Sequence, residues 1–112
     1  MEIAVSEHLI RVMVVAPKGR LDVNSVAELQ KQLDALFGDG VPRIVIDLSA
    51  VPFLDSAGMA VLVGTLKSAN QQQGNVVLVW PAEEAARRVL ALTKFDRIFT
   101  IAETVSDAVD AF

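Results

Sequence analysis

Apolar positions recur along the chain with two periods, and the switches between them mark out its elements. Alternation over Glu2 to Ser6, followed by a Val-, Ile- and Leu-rich run from Leu9 to Ala16, predicts a β-hairpin turning at Glu7-His8 and closed by Pro17-Lys18-Gly19. The pattern then changes to helical spacing: Val26, Leu29, Leu33, Leu36 and Phe37 share one face. Ser25 with Glu28 three residues on predicts a capping box at its start, and Gly38-Asp39-Gly40 ends it.

Arg43 to Leu48 and Val76 to Trp80 are nearly continuous apolar runs, as expected of inner strands covered on both faces. Between them lie an irregular stretch, Ser49 to Leu54, and a second helix that begins near Asp55-Ser56. Its stripe is Met59, Leu62, Val63, Leu66 and Ala69, and Gly74 is the expected C-terminal cap. Pro81 suits the first turn of a third helix, where its missing N–H does no harm, with Ala85, Ala86, Val89 and Leu90 facing inward. Phe99-Thr100-Ile101 predicts a short strand. Thr104, followed at Asp107 by an acidic residue, starts a last helix carrying Ala108, Val109 and Phe112. The order β-β-α-β-α-β-α-β-α predicts an α/β fold: a mixed sheet of about five strands, antiparallel at the entry hairpin and otherwise mainly parallel, with helices packed mainly on one face.

Composition narrows the function. At 112 residues the chain is one domain, 1–112, and 53% hydrophobic residues is too apolar for a disordered segment. The formal charge of −4, from 10 basic and 14 acidic residues, argues against direct nucleic-acid binding, which needs clustered Lys and Arg. Without cysteine there is no thiol chemistry, and the single histidine, His8, cannot build a multi-histidine metal site. No signal-like or membrane-spanning run occurs, so a cytoplasmic protein without membrane contact is expected.

Enzyme motifs fail in turn. Gly19-Arg20-Leu21-Asp22 and Gly38-Asp39-Gly40 lack the dinucleotide and phosphate-loop spacings. Asp22, Asp47 and Asp55 read as loop and cap carboxylates rather than acid–base pairs. No catalytic residue, cofactor or metal is expected. Trp80 reads as a core anchor, Arg87-Arg88 as a solvated helix face, and Gln71-Gln72-Gln73 as an exposed helix end.

The informative stretch is Phe53-Leu54-Asp55-Ser56-Ala57-Gly58-Met59, which follows a buried strand and opens a helix. There the free N–H groups and the positive end of the helix dipole favour negative charge. A phosphate on Ser56 would add roughly −1.5 to −2 charges that the helix start can hold, a gain of about 0.3–1 kcal/mol. Ala57 and Gly58 are small and leave the hydroxyl open, beside a partly exposed apolar rim of Leu54 and Met59. Ser and Asp are also ordinary caps, and Ala-Gly can serve close packing of helix on sheet, so the residues alone leave both readings open.

Val45-Ile46-Asp47-Leu48-Ser49, the Asp55-Ser56-Ala57-Gly58 element, the helix ending at Gly74, the Gly19-Arg20-Leu21-Asp22 loop and Leu92 to Phe99 together resemble the STAS domain over essentially the whole chain. The pattern is most similar to the stand-alone anti-sigma factor antagonists. The resemblance implies that Ser56 is the phosphoacceptor and that Asp22, Leu54, Asp55, Ser56, Ala57, Gly58 and Met59 bind the partner. That partner would be an anti-sigma factor that is also a GHKL-type serine kinase; it is bound when Ser56 is unmodified and released after phosphorylation, and a serine phosphatase resets the switch. The antagonist itself would be a monomer or weak dimer. Two positions depart from the family: Ala57 stands where many members have Ser or Thr, and Lys94 where many have Gly. The alternative on the same fold is a constitutive, unswitched binding subunit of a transporter or signalling scaffold, with Ser56 an ordinary cap.

Overall fold

The computed structural model describes residues 1–8 and 11–112. Strands β1 (Glu2–His8), β2 (Val12–Lys18), β3 (Arg43–Asp47), β4 (Asn75–Val79) and β5 (Thr100–Ala102) form one sheet in the order β1-β2-β3-β4-β5. The β1–β2 pair is antiparallel and every later pair is parallel. Helices α1 (Val26–Gly38), α2 (Ser56–Gln71), α3 (Glu84–Leu92), α4 (Phe95–Ile98) and α5 (Val105–Asp110) complete the chain. The mixed sheet expected from the sequence is therefore present.

The pleat of the inner strands sorts their side chains into two cores. Ile44, Ile46, Val76 and Leu78 point toward α1 to α4 and pack with Leu29, Leu33, Leu62, Leu66, Ala86 and Leu90. Val45, Val77 and Val79, with Val12 and Val14, point the other way onto Ala108 of α5. Burial on both faces explains why β3 and β4 read as unbroken apolar runs.

Several boundaries differ from the sequence reading. Glu7 and His8 do not turn: they pair with Met13 and Val12, so β1 runs through the expected corner. Six of the seven β1 residues are exposed, so polarity there marks an uncovered edge strand rather than a loop. Leu9 and Ile10, placed by sequence at the head of the second strand, lie outside the described residues. Ser25 occupies the N-cap of α1 without capping it. Its hydroxyl donates to the Arg20 carbonyl at 2.7 Å and accepts from the Asp22 N–H, while Glu28 pairs with the Met1 amine at 2.8 Å.

Farther on, α3 starts at Glu84, three residues beyond Pro81, and Ala85 is exposed rather than inward. Pro81 instead stays with the end of β4, buried, where its carbonyl accepts from Arg87 Nη1 at 2.9 Å. Arg87 also bonds Glu103 at 3.0 Å, so it is a tether between α3 and the segment after β5, not a free solvated side chain. Trp80 is buried, as expected of a core anchor. One element was not anticipated: α4, a single turn whose Phe95 stacks on Phe99 with ring centroids 5.5 Å apart. Burial of Phe99 in that pair moves β5 one residue along. Lys94, between α3 and α4, adopts a left-handed φ of 63°, the backbone state for which glycine is suited.

Candidate functional site

Two loops at the carboxyl ends of the inner strands are stitched together. Gly19, at φ 107° and thus in a region closed to other residues, turns the chain out of β2 and donates to the Ala50 carbonyl. Leu21 N–H then donates to the Phe53 carbonyl at 2.9 Å and Asp55 N–H to the Leu21 carbonyl at 3.3 Å, forming a one-rung parallel bridge between Leu21 and Leu54. Both leucines are buried, at 0% and 2% exposure. The expected rim is corrected here: Leu54 is core, and only Met59, half-buried against that core, reaches the surface.

Alternation on the two extended segments sends their neighbours outward. Arg20 lies over the Phe53 ring, 4.2 Å from its centroid, and pairs with Asp22 at 3.3 Å. Asp22 is only 17% exposed at its side chain, and its other oxygen accepts from the Asn24 N–H at 3.0 Å. The exposed side chains of this loop are therefore Arg20, Val23 and Asn24, with Val23 at 69%. Sequence reasoning passed over Arg20, Val23 and Phe53. The period-two pattern signals Arg20 and Phe53: once Leu21 and Leu54 face inward, the residues before them must face outward. Val23, on the same parity as Leu21, lies in the turn before α1 and carries no such signal.

Asp55 joins the halves. Its Oδ1 accepts from Gly58 N–H at 3.0 Å as the N-cap of α2, and its Oδ2 accepts from Val23 N–H, 32 positions away in sequence, at 3.1 Å. The Gly58 N–H chiefly holds the carboxyl below the usual carboxylate range; burial opposes this, and the Val23 N–H adds to it. Gly58 is buried, and a Cβ there would collide with the Leu21 carbonyl oxygen. Glycine at this position lets α2 start directly against the bridged loop.

Ser56 is the first residue of α2 and is exposed. Among the described residues, no side chain or backbone group bonds its hydroxyl. Ala57 beside it is half-buried. The first turn of α2 carries no acidic side chain, so its free N–H groups face the surface uncompensated except by Asp55. Asp55 has both oxygens committed to backbone N–H groups, and among the described residues no side chain bonds Ser56 to take its proton. The arrangement presents an alcohol beside a positive helix end to whatever docks there.

The STAS domain model matches residues 3–108. A Thermotoga maritima protein provisionally named an anti-sigma factor antagonist is 34% identical over 100 residues, 88% of each chain. A Thermotoga maritima crystal structure of the same description superposes with a TM-score of 0.89 at 31% identity, over 97% of this chain and 92% of that one. An anti-sigma factor antagonist from Mycobacterium paratuberculosis gives a TM-score of 0.86 at 33% identity, covering 98% of this chain and 92% of its own. The Bacillus cell-fate determinant SpoIIAA in its phosphorylated form shares the fold, with a TM-score of 0.75 at 19% identity over 98% of each chain. With the sheet order, the bridged loops and the Asp55-capped helix, these matches establish that the chain belongs to the STAS domain family.

Proposed function

We propose that this protein is an anti-sigma factor antagonist switched by phosphorylation of Ser56. In its unmodified form it binds a GHKL-type anti-sigma factor that is also its serine kinase. The observation that carries this reading is the Ser56 hydroxyl, exposed and without an internal partner on the first residue of α2. A serine that served only as a cap would spend its oxygen on the helix; here Asp55 does that work and the hydroxyl is left over. The names of the Thermotoga and Mycobacterium relatives support the partner class, and the phosphorylated SpoIIAA structure supports modification within this fold.

The docking face comprises Ser56, Ala57, Met59 and Asp55 with the adjoining loop of Arg20, Asp22, Val23 and Phe53. Gly58 and Leu54 act from beneath by fixing the backbone. Burying a neutral serine in an interface costs little, whereas a phosphate dianion left unpaired there costs several kcal/mol. A loss of about 3 kcal/mol weakens binding by roughly two orders of magnitude. The helix end stabilises the same phosphate by only about 0.3–1 kcal/mol, and it does so in the free protein, so release wins. A serine phosphatase then restores the binding form, and the cycle runs in the cytoplasm.

Incubation with a GHKL-type anti-sigma factor kinase and ATP, followed by intact-mass measurement and peptide mapping, tests the reading. A single phosphate on Ser56 and loss of kinase binding are expected. Modification elsewhere, or none, overturns the switch and leaves a constitutive binding module.

A further inference from the structure

The two edges of the sheet are built differently. β5 is three residues long and is followed directly by α5 on one face of the sheet. β1 is seven residues long, six of them exposed, and it pairs only with β2. Of the devices that normally blunt an open edge it lacks three: it has no proline, no lysine, and no bulge in its one-to-one register with β2. Its two acidic side chains are already balanced within the hairpin, Glu2 by Lys18 at 3.5 Å and Glu7 by Arg11 at 3.9 Å.

We propose that β1 is a homodimerisation edge, taking as its occupant the β1 strand of a second copy of this chain, antiparallel about a two-fold axis at Val5. Only that register pairs the strand along its full length, and it is self-complementary. It sets Val5 against Val5, Ala4 against Ser6, Ile3 against Glu7, and Glu2 against His8, so no like charges oppose one another. Val5, 39% exposed in the single chain, becomes the central contact. The two five-stranded sheets fuse into one continuous sheet. The Ser56 faces play no part in the pairing, so the dimer stands or falls independently of the phosphorylation reading.

Light scattering on the full chain over a concentration series up to about 1 mM measures the association, and circular dichroism checks the fold of each variant. The wild type is expected to dimerise. Val5→Lys, which sets two lysines face to face at the axis, is expected to raise the dimer dissociation constant about tenfold or more. His8→Glu, opposing Glu2, is expected to weaken the dimer, and His8→Lys to preserve it; these two variants carry the test if Val5→Lys does not fold. The chain has no cysteine of its own, so Val5→Cys is expected to cross-link into a covalent dimer on mild oxidation. A wild type that stays monomeric throughout, a dimer indifferent to Val5→Lys and His8→Glu, or a Val5→Cys protein that does not cross-link overturns the proposal.

Discussion

The two ends of α2 use the same packing device for different purposes. At the start, Gly58 lets the helix press against the Leu21 carbonyl; just beyond the end, Gly74 lets the chain press against the Pro42 carbonyl. At the C-terminal end the polar backbone groups turn inward to close the helix: Gln72 and Gly74 N–H groups donate to the Ala69 carbonyl, and Gln73 takes the left-handed position at φ 62°. At the N-terminal end Asp55 does the closing, and the Ser56 hydroxyl is left facing outward with nothing to bond. Tight packing alone therefore does not mark a functional site. What separates the ends is an exposed hydroxyl that the fold does not need.

The strongest way to break that comparison is to add a methyl group at each glycine. Gly58→Ala and Gly74→Ala each force a Cβ into a backbone carbonyl and are expected to lower stability by about 1–3 kcal/mol, read by urea unfolding. Only Gly58→Ala is expected also to weaken binding of the proposed anti-sigma factor partner, because only it displaces Asp55 and Ser56. Equal loss of binding in both variants would erase the functional difference between the ends.

Charge at Ser56 sharpens it next. Titration calorimetry against the partner is expected to show Ser56→Ala close to wild type and Ser56→Asp about tenfold weaker, the aspartate carrying one charge where a phosphate carries nearly two.

Asp55 gives a pH signature. Its carboxyl is held below its ordinary range in the folded protein, so its contribution to stability is complete above the unfolded value and is lost as pH falls through the lowered folded value. Stability of the wild type should thus fall more steeply below about pH 4 than that of Asp55→Asn, which lacks the titrating group. Parallel acid limbs in the two unfolding curves would remove Asp55 as the clip between the loops.

The smallest effect belongs to the structural end. Gln73→Gly relieves a left-handed residue and is expected to stabilise the fold by about 0.5–1 kcal/mol without changing partner affinity.

Much of this was legible from residue order, and the misreadings share one cause. The start of α2 at Asp55-Ser56, the open hydroxyl and the inner strands followed from spacing, because helix starts and doubly covered strands leave local signatures. Spacing makes Gly74 the C-terminal cap of α2, but the left-handed position is Gln73; glycine is needed at 74 because of Pro42, far away in sequence. Local sequence places Leu54 on a partly exposed rim because nothing local reveals its bridge to Leu21. Ser25 and Glu28 have the spacing of a capping box, yet the Arg20 carbonyl and the Met1 amine claim them instead.

Period and composition by themselves determined the architecture: that an antiparallel hairpin opens the sheet, which strands lie inside, and which helix opens on Asp55-Ser56. Tertiary structure alone decided which neighbours of that serine touch the surface, because the Leu21–Leu54 bridge and the Asp55 bond to Val23 join segments some thirty positions apart. Periodicity reports only the face on which a side chain lies. Whether that face meets solvent depends on what the rest of the chain brings against it.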